Sequence, residues 1–279
     1  MATAKYPVKS LAKALRLLDA LGKSDRGSSI ATLSKDLKLG KSTVHRLLAT
    51  LREFDLVWFD SATSNYALGV RILRWSDLLV RQNLIVRHGL PVLRDLVDAC
   101  HETANLAVLE GTEIMFVARF ESSQRLRMSD TIGGRSAAHC TALGKALLSA
   151  LSEKEFHERY AGIETLKAAT ANSITSTERL WEHLKKVRQE AVAYDFEENV
   201  VGGVCMAALV RNYTGRPVAA MSVSLPTQRL RGDILITLKE HLLRAVSRLS
   251  SELGYSGGEE LASSAMPANS EPASEPAPV

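Results

Sequence analysis

Two kinds of chemistry are spelled out in this chain. The first is acid–base or thiol chemistry. Asp195, Glu197 and Glu198 crowd the stretch "YDFEEN", each of the pairs Cys100-His101 and His139-Cys140 sets a thiol beside an imidazole, and Cys205 stands in "GGVC". The second is recognition of a polyanion, in "GKSTVHRLLATLRE" at residues 40–53. Wound at helical spacing, Val44, Leu47, Leu48 and Leu51 share one arc, which reads as a buried face. Ser42, Arg46, Ala49 and Glu53 lie opposite, flanked by Thr43, His45 and Thr50. A helix in a DNA major groove needs this mixture: small residues for close approach, hydroxyls and Arg for base edges and phosphates, and a helix N-terminus that favours phosphate. Ser42, Thr43, Arg46 and Thr50 are therefore candidates for base edges or phosphates, Lys41 and His45 for phosphates. An ordinary amphipathic surface helix has the same pattern, and His45 fits equally as a solvated flank, so the neighbouring elements must decide.

The acid–base and thiol options find little support in spacing. Neighbouring residues of an extended strand point to opposite faces, so a His-Cys dipeptide on a strand cannot share a proton or a metal ion. There is no CxxC spacing, no GxSxG, no phosphate-binding loop and no GxGxxG ahead of a helix. No metal or cofactor is expected. A redox sensor acting through Cys205 or Cys140 would need a lowered thiol pKa. A small-acid enzyme with a basic N-terminal module is a further alternative. Glu197 and Glu198 read as a solvated acidic loop, Glu110 and Glu113 as turn residues.

The elements around residues 40–53 favour DNA. The first 90 residues carry 15 Lys and Arg against 7 Asp and Glu, while the rest of the chain reverses the balance, 20 against 24. A basic segment ahead of a mildly acidic one points to a polyanion partner for the first. "KSLAKALRLLDALG" places Leu11, Ala14, Leu15, Leu18 and Leu21 at helical spacing before a glycine stop. "GSSIATLSKDLKLG" offers Ser28 or Ser29 as a cap, with Ile30, Leu33 and Leu37 inward. Leu39-Gly40 turns into the 40–53 helix, giving helix-turn-helix order. Leu56–Phe59 and Tyr66–Leu68 then read as strands around the polar turn "DSATSN", a wing whose tip lies near 61–65.

Residues 70–99 hold two helical patterns broken at His88-Gly89-Leu90-Pro91. The first is apolar over more than half its surface, which predicts packing on a partner chain and hence a dimer. Beyond it, "ANLAVLEGTEIMFVARFES" is a hairpin with a Glu-Gly-Thr-Glu turn. "RLRMSDTIGGRSAAHCTALGKALLSALS" reads as a strand, a Gly-Gly turn and a helix from about Thr141. "SITSTERLWEHLKKVRQE" carries a capping box from Thr175 to Glu178. "AVAYDFEENVVGGVCMAALVRNYTGRPVAAMSVSLP" reads as two long strands, and "DILITLKEHLLRAVSRLSSELG" as a closing amphipathic helix. This order predicts an antiparallel sheet flanked by helices. The Ser-, Ala-, Pro- and Glu-rich end, 255–279, is expected to be disordered. No apolar run reaches 18 residues, the start lacks the apolar core of a signal peptide, and three scattered cysteines suit a reducing cytoplasm.

"KSTVHRLLATL", "GGRSAAHCTALGKALLSAL" and "AYDFEENVVGGVCMAALV" with "AAMSVSLP" together resemble the IclR family of bacterial transcriptional regulators, over about residues 8–254. The resemblance implies an α+β chain with a winged helix-turn-helix at 8–69, a helical linker and dimerisation segment at 70–89 and a GAF-like effector-binding domain at 90–254. It implies a homodimer or dimer of dimers on an operator of catabolic genes, as repressor or activator. The effector would be a small organic acid, aromatic or 2-oxo, in a pocket lined by Leu143, Gly144, Asp195, Cys205, Ser222 and Ser224. Two departures stand out: Ala137-Ala138 replaces the Pro-Leu common before His-Cys, and Gly40 replaces the usual Pro before the recognition helix.

Overall fold

The computed structural model describes residues 8–128 and 130–257. The chain divides between Asn83 and Leu84. In the first unit, α1 (Lys9–Gly22), α2 (Ile30–Leu37) and α3 (Lys41–Glu53) precede a hairpin of β1 (Val57–Asp60) and β2 (Asn65–Leu68), then α4 (Arg71–Gln82). The Ser29 hydroxyl accepts the Thr32 N–H at 3.2 Å and starts α2. Lys38, left-handed at φ 53°, ends α2, and Gly40 caps α3. Leu17, Leu21, Leu33, Val44, Leu48, Leu51, Val57 and Tyr66 form the core. Of the inward face expected for α1, Leu21 is buried and Ala14 and Leu18 pack against the core, but Leu11 and Leu15 remain exposed and Leu17 is buried in addition. Position 17 is the one that meets α2 and α3, and helical spacing alone does not say which of two leucine stripes does so.

The helical break expected at His88–Pro91 lies instead at Asn83, which is extended between α4 and α5 (Leu84–Cys100). Pro91 sits inside α5, where it deprives Arg87 of a backbone donor. Burial outweighs that loss. Val86, Gly89, Leu93, Leu96 and Val97 make one continuous buried stripe at helical spacing. Gly89 is part of the fit: a Cβ there would lie 2.7 Å from Leu106 Cδ2.

The second unit is built on a six-stranded antiparallel sheet in the order β5-β4-β3-β8-β7-β6. The strands are β3 (Thr103–Glu110), β4 (Glu113–Phe120), β5 (Arg135–Ala137), β6 (Ala193–Phe196), β7 (Gly203–Arg211) and β8 (Pro217–Pro226). One face carries α5 and α9 (Ile234–Glu252); the other carries α6 (Ala142–Ser149) and α8 (Thr177–Glu190), with α7 (Glu153–Arg159) nearby.

Several local expectations are corrected. The strand near Met128 comes after Gly133-Gly134, as β5, because Gly133 at φ 79° and the Gly134-to-Thr131 bond turn the chain there. The stretch "AVAYDFEENVVGG…SLP" is three strands, since Glu197 (φ 59°) and Gly202 (φ 82°) fold 197–202 into a loop. The α8 cap is Ser176, whose hydroxyl accepts the Arg179 N–H, and not Thr175. His139 and Cys140 lie in a buried 3-10 turn rather than on a strand. The tail beyond Gly257, expected to be disordered, lies outside the described residues.

Candidate functional site

On α3, Val44, Leu48 and Leu51 are buried and Leu47 is half-buried. Lys41, Ser42, His45, Arg46 and Thr50 are exposed and Thr43 is half-buried, so all six side chains named for DNA are on the free side of the helix. The Thr50 hydroxyl donates to the Arg46 carbonyl at 3.1 Å, which commits its proton inside the helix. The wing tip is shaped by Asp60, which accepts from Ala62 N–H and the Thr63 hydroxyl at 2.9 and 2.7 Å. Helix, tight turn, helix with an exposed basic and hydroxyl face, then a short hairpin, is the geometry that presents one helix to a groove.

The second site arises from strand register. Asp195 of β6 pairs with Cys205 of β7, Cys205 with Ser224 of β8, and Ser224 with Thr103 of β3. The neighbouring row joins Ala193, Ala207, Ser222 and Asn105. Residues two apart share a face, so both rows present their side chains to the same side of the sheet. The first turn of α6 crosses over them. The space between is a small, partly open cavity lined among others by Asn105, Thr141, Leu143, Asp195, Cys205, Ser222 and Ser224.

Five of the six residues expected in a ligand pocket line this cavity. Gly144 does not. Its N–H donates to the Thr141 hydroxyl at 3.0 Å, and a Cβ there would fall 2.1 Å from the Ala138 carbonyl. Glycine is required at 144 so that α6 can approach the His139 turn. Asn105, Asp130 and Asn199 also line the cavity and were not named from the sequence; Asn105 and Asp130 come from a strand and a loop remote from the named residues. Polar residues two apart at strand spacing mark Thr103 and Asn105 as facing one side, which is the one clue the sequence held.

Two polar atoms facing this space are buried without a partner: Ser222 Oγ and Asn105 Oδ1. Asn105 Nδ2 donates to Ser224 Oγ at 3.4 Å. The first-turn N–H groups of α6, at Ala142 and Leu143, have no intrahelical acceptor. Hydroxyls, an amide and a helix N-terminus thus converge where an oxygen-rich ligand can bind.

Beneath the cavity lies a buried ion pair that the sequence reading missed. Lys145 of α6 is fully buried, and its Nζ donates to Glu198 Oε1. Glu198 is therefore not a solvated loop residue; it neutralises a cation carried on an otherwise apolar helix. Its carbonyl accepts from Ser173 Oγ at 2.7 Å, while Glu197 Oε1 accepts the Gly202 N–H at 2.6 Å and closes the loop. Asp195 Oδ1 accepts the N–H groups of Glu198 at 2.7 Å and Asn199 at 3.4 Å. Burial nonetheless pushes the Asp195 carboxyl up to about 6, against the pull of these N–H groups and Lys145. Burial likewise raises Glu198.

The thiols are the reverse of reactive. Burial pushes Cys205 up to about 12 and Cys100 to about 11, and raises Cys140. A redox sensor needs thiolate at neutral pH, so these raised values count against the thiol alternative.

A winged helix-turn-helix joined to a separate domain with a partly open polar cavity defines a ligand-responsive DNA-binding regulator. Comparison with known proteins gives the family. Residues 78–251 match the profile of the bacterial transcriptional regulator IclR C-terminal domain, and residues 10–61 match the IclR helix-turn-helix domain. The chain belongs to the IclR family of transcriptional regulators. It is 31% identical to the HTH-type transcriptional regulator KdgR of Escherichia coli over 248 residues, covering 89% of this chain and 94% of that protein. It is 30% identical to the transcriptional repressor IclR of the same organism over 260 residues, covering 92% and 93%. The crystal structure of Thermotoga maritima IclR superposes with a TM-score of 0.76 at 26% identity, covering 89% of this chain and all of that one. The same fold, at 21% identity and a TM-score of 0.74, occurs in an IclR homologue of Microbacterium hydrocarbonoxydans crystallised with 4-hydroxybenzoate. Among the described residues no helix is long and apolar enough to cross a membrane.

Proposed function

We propose that the cavity of the second unit binds a small carboxylic acid and that its occupancy changes how the first unit binds an operator. The observation that carries this reading is the pair of unpartnered buried atoms, Ser222 Oγ and Asn105 Oδ1, facing the first turn of α6. A buried polar atom without a partner costs about 1–3 kcal/mol, and a ligand oxygen or hydroxyl offsets that cost. The IclR homologue crystallised with 4-hydroxybenzoate supports a small organic acid as the ligand class. Leu143, Asp195, Cys205, Ser222 and Ser224 contact the ligand in this reading. The domain binds rather than catalyses, its thiols being protonated and its buried lysine tied to Glu198.

Lys41, Ser42, Thr43, His45, Arg46 and Thr50 contact DNA, inside the cytoplasm where the operator lies. The protein acts as a homodimer or dimer of dimers. Support for that comes from α4, which buries none of its own residues and leaves Leu73, Trp75, Leu78 and Leu79 exposed; a two-fold operator also calls for two reading heads. The coupling between cavity and DNA is expected to be ~1–3 kcal/mol.

Footprinting on DNA upstream of the gene and its neighbours, at about 0.1–0.15 M salt, tests the reading. A protected two-fold site that shifts its midpoint on adding an acid supports it. The double substitution Ser222→Ala with Ser224→Ala should blunt that shift and spare operator binding without ligand. A normal midpoint shift in the double variant would refute the cavity assignment.

A further inference from the structure

The cavity is an odd seat for an anion. Its neutral groups suit a carboxylate, yet among the described residues that line it there are two carboxylates, Asp130 and Asp195, and no lysine, arginine or histidine. The nearest cations are already committed. Lys145 donates to Glu198 Oε1, and the Arg119 guanidinium donates to the carbonyls of Met128 and Asp130. Two cations, Lys145 and Arg119, therefore stand against three carboxylates, Asp130, Asp195 and Glu198, before any ligand arrives. A bound acid anion would add a further negative charge in a desolvated space, where like charges repel strongly.

We propose that the cavity takes up a carboxylate ligand together with one proton, which Asp195 carries as the neutral acid and donates in a hydrogen bond to the ligand's carboxylate. The proposal rests on the small-acid reading above and adds the form in which the acid is bound. The proton comes from solvent; Asp195 passes from carboxylate to carboxylic acid, the ligand stays an anion, and the net charge of the cluster is unchanged by binding.

The geometry allows this at one oxygen. Both hydrogen bonds drawn to Asp195 fall on Oδ1, from the N–H groups of Glu198 and Asn199, so the proton sits on Oδ2. The charged and titratable groups acting on Asp195 come from the elements packed on it. From α6 comes Lys145, from the 197–202 loop Glu198, from β7 the Cys205 thiol, from the 3-10 turn the Cys140 thiol. Both thiols are held protonated, and His139 and His183, near Lys145, are held neutral by burial. Among the described residues Lys145 is the cation acting on Asp195, and its charge is already countered by Glu198. The free Asp195 carboxyl, pushed to about 6 by burial, is ionised at neutral pH but within reach of protonation. An anion beside it raises it further, so binding draws in a proton. Affinity is then greatest below about pH 6 and falls toward tenfold per pH unit above it.

The test is calorimetric titration of the full chain with pyruvate and 4-hydroxybenzoate, from about pH 6 to about pH 8, in two buffers of different ionisation enthalpy. We expect uptake of about one proton per ligand and a Kd about tenfold weaker at pH 8 than at pH 7. Asp195→Asn offers a fixed donor without charge and should flatten the pH profile. If Asp195→Asn does not fold, the proton count on the unaltered chain decides alone. A flat profile without proton uptake overturns the proposal and leaves the acid reading intact. No binding of these or of a wider set of small monocarboxylates overturns the acid reading, and the proposal with it.

Discussion

The two units solve opposite problems with similar residue types. On α3, Ser42, Thr43, Arg46 and Thr50 stand at the protein surface with a long cationic side chain among them. In the sheet, Ser222, Ser224, Asn105 and Asp195 are almost fully buried, with no cation among the lining residues described. A large, highly charged partner can be held by screened surface charges because many contacts add up. A small ligand has few contacts, so each must be made by a desolvated, fixed dipole. The same hydroxyl therefore does different work in the two places: on α3 it competes with bulk water, and in the cavity it is buried among fixed dipoles.

The largest effect is expected at the ion pair under the cavity. Lys145→Met leaves Glu198 buried without its counter-charge, and the second unit should lose ~3–5 kcal/mol of stability in a denaturant titration. Adding Glu198→Gln should restore much of it; no recovery in the double variant would mean that the lysine acts through packing and not charge.

A smaller effect of opposite sign is expected at Asp195. Its folded-state carboxyl titrates near 6, above its usual value of 3.8, so the folded protein binds that proton more tightly than the unfolded chain does. The cost of keeping it ionised grows as pH rises from about 4 to about 6 and is constant above. Asp195→Asn keeps the Oδ1 acceptor and should stabilise the ligand-free protein by ~2–3 kcal/mol at neutral pH, with the gain vanishing below about pH 4. A gain that is the same at acid and neutral pH would show that burial of charge is not its cause.

On the DNA side, Arg46→Ala should weaken operator binding by ~1–3 kcal/mol if it reads a guanine. If Arg46 meets phosphate instead, the loss is uniform across sequences and the salt slope falls by about one. Unchanged affinity in a gel-shift titration removes Arg46 from the interface. The smallest change belongs to Thr50→Val. Its hydroxyl proton is spent on the Arg46 carbonyl, so fold stability should move by no more than ~0.5 kcal/mol. A loss of operator affinity as large as that of Arg46→Ala would show that Thr50 releases its helix bond to read DNA.

What the sequence determined by itself was whatever depends on local period and local charge. The α3 face, the basic bias of the first 90 residues, the hairpin turns and the final helix follow from side chains a few positions apart, whose geometry is fixed by helix or strand spacing. Ser222 and Ser224 were named through the family resemblance, and their alternate spacing puts both on one face of the strand. Only the tertiary structure decided matters that depend on what lies opposite. Which leucines of α1 are inside, and why α5 runs through Pro91, are set by the surfaces that α1 and α5 pack against. Gly144 looked like a pocket residue and proved to be a contact point between α6 and Ala138. Lys145 and Glu198, 53 residues apart in the chain, showed nothing locally of their pairing. Asn105 reached the cavity because β3 lies beside β8, a strand more than 100 residues later. Burial and charge balance are sums over all neighbours in space, and a sequence states directly only the neighbours along the chain.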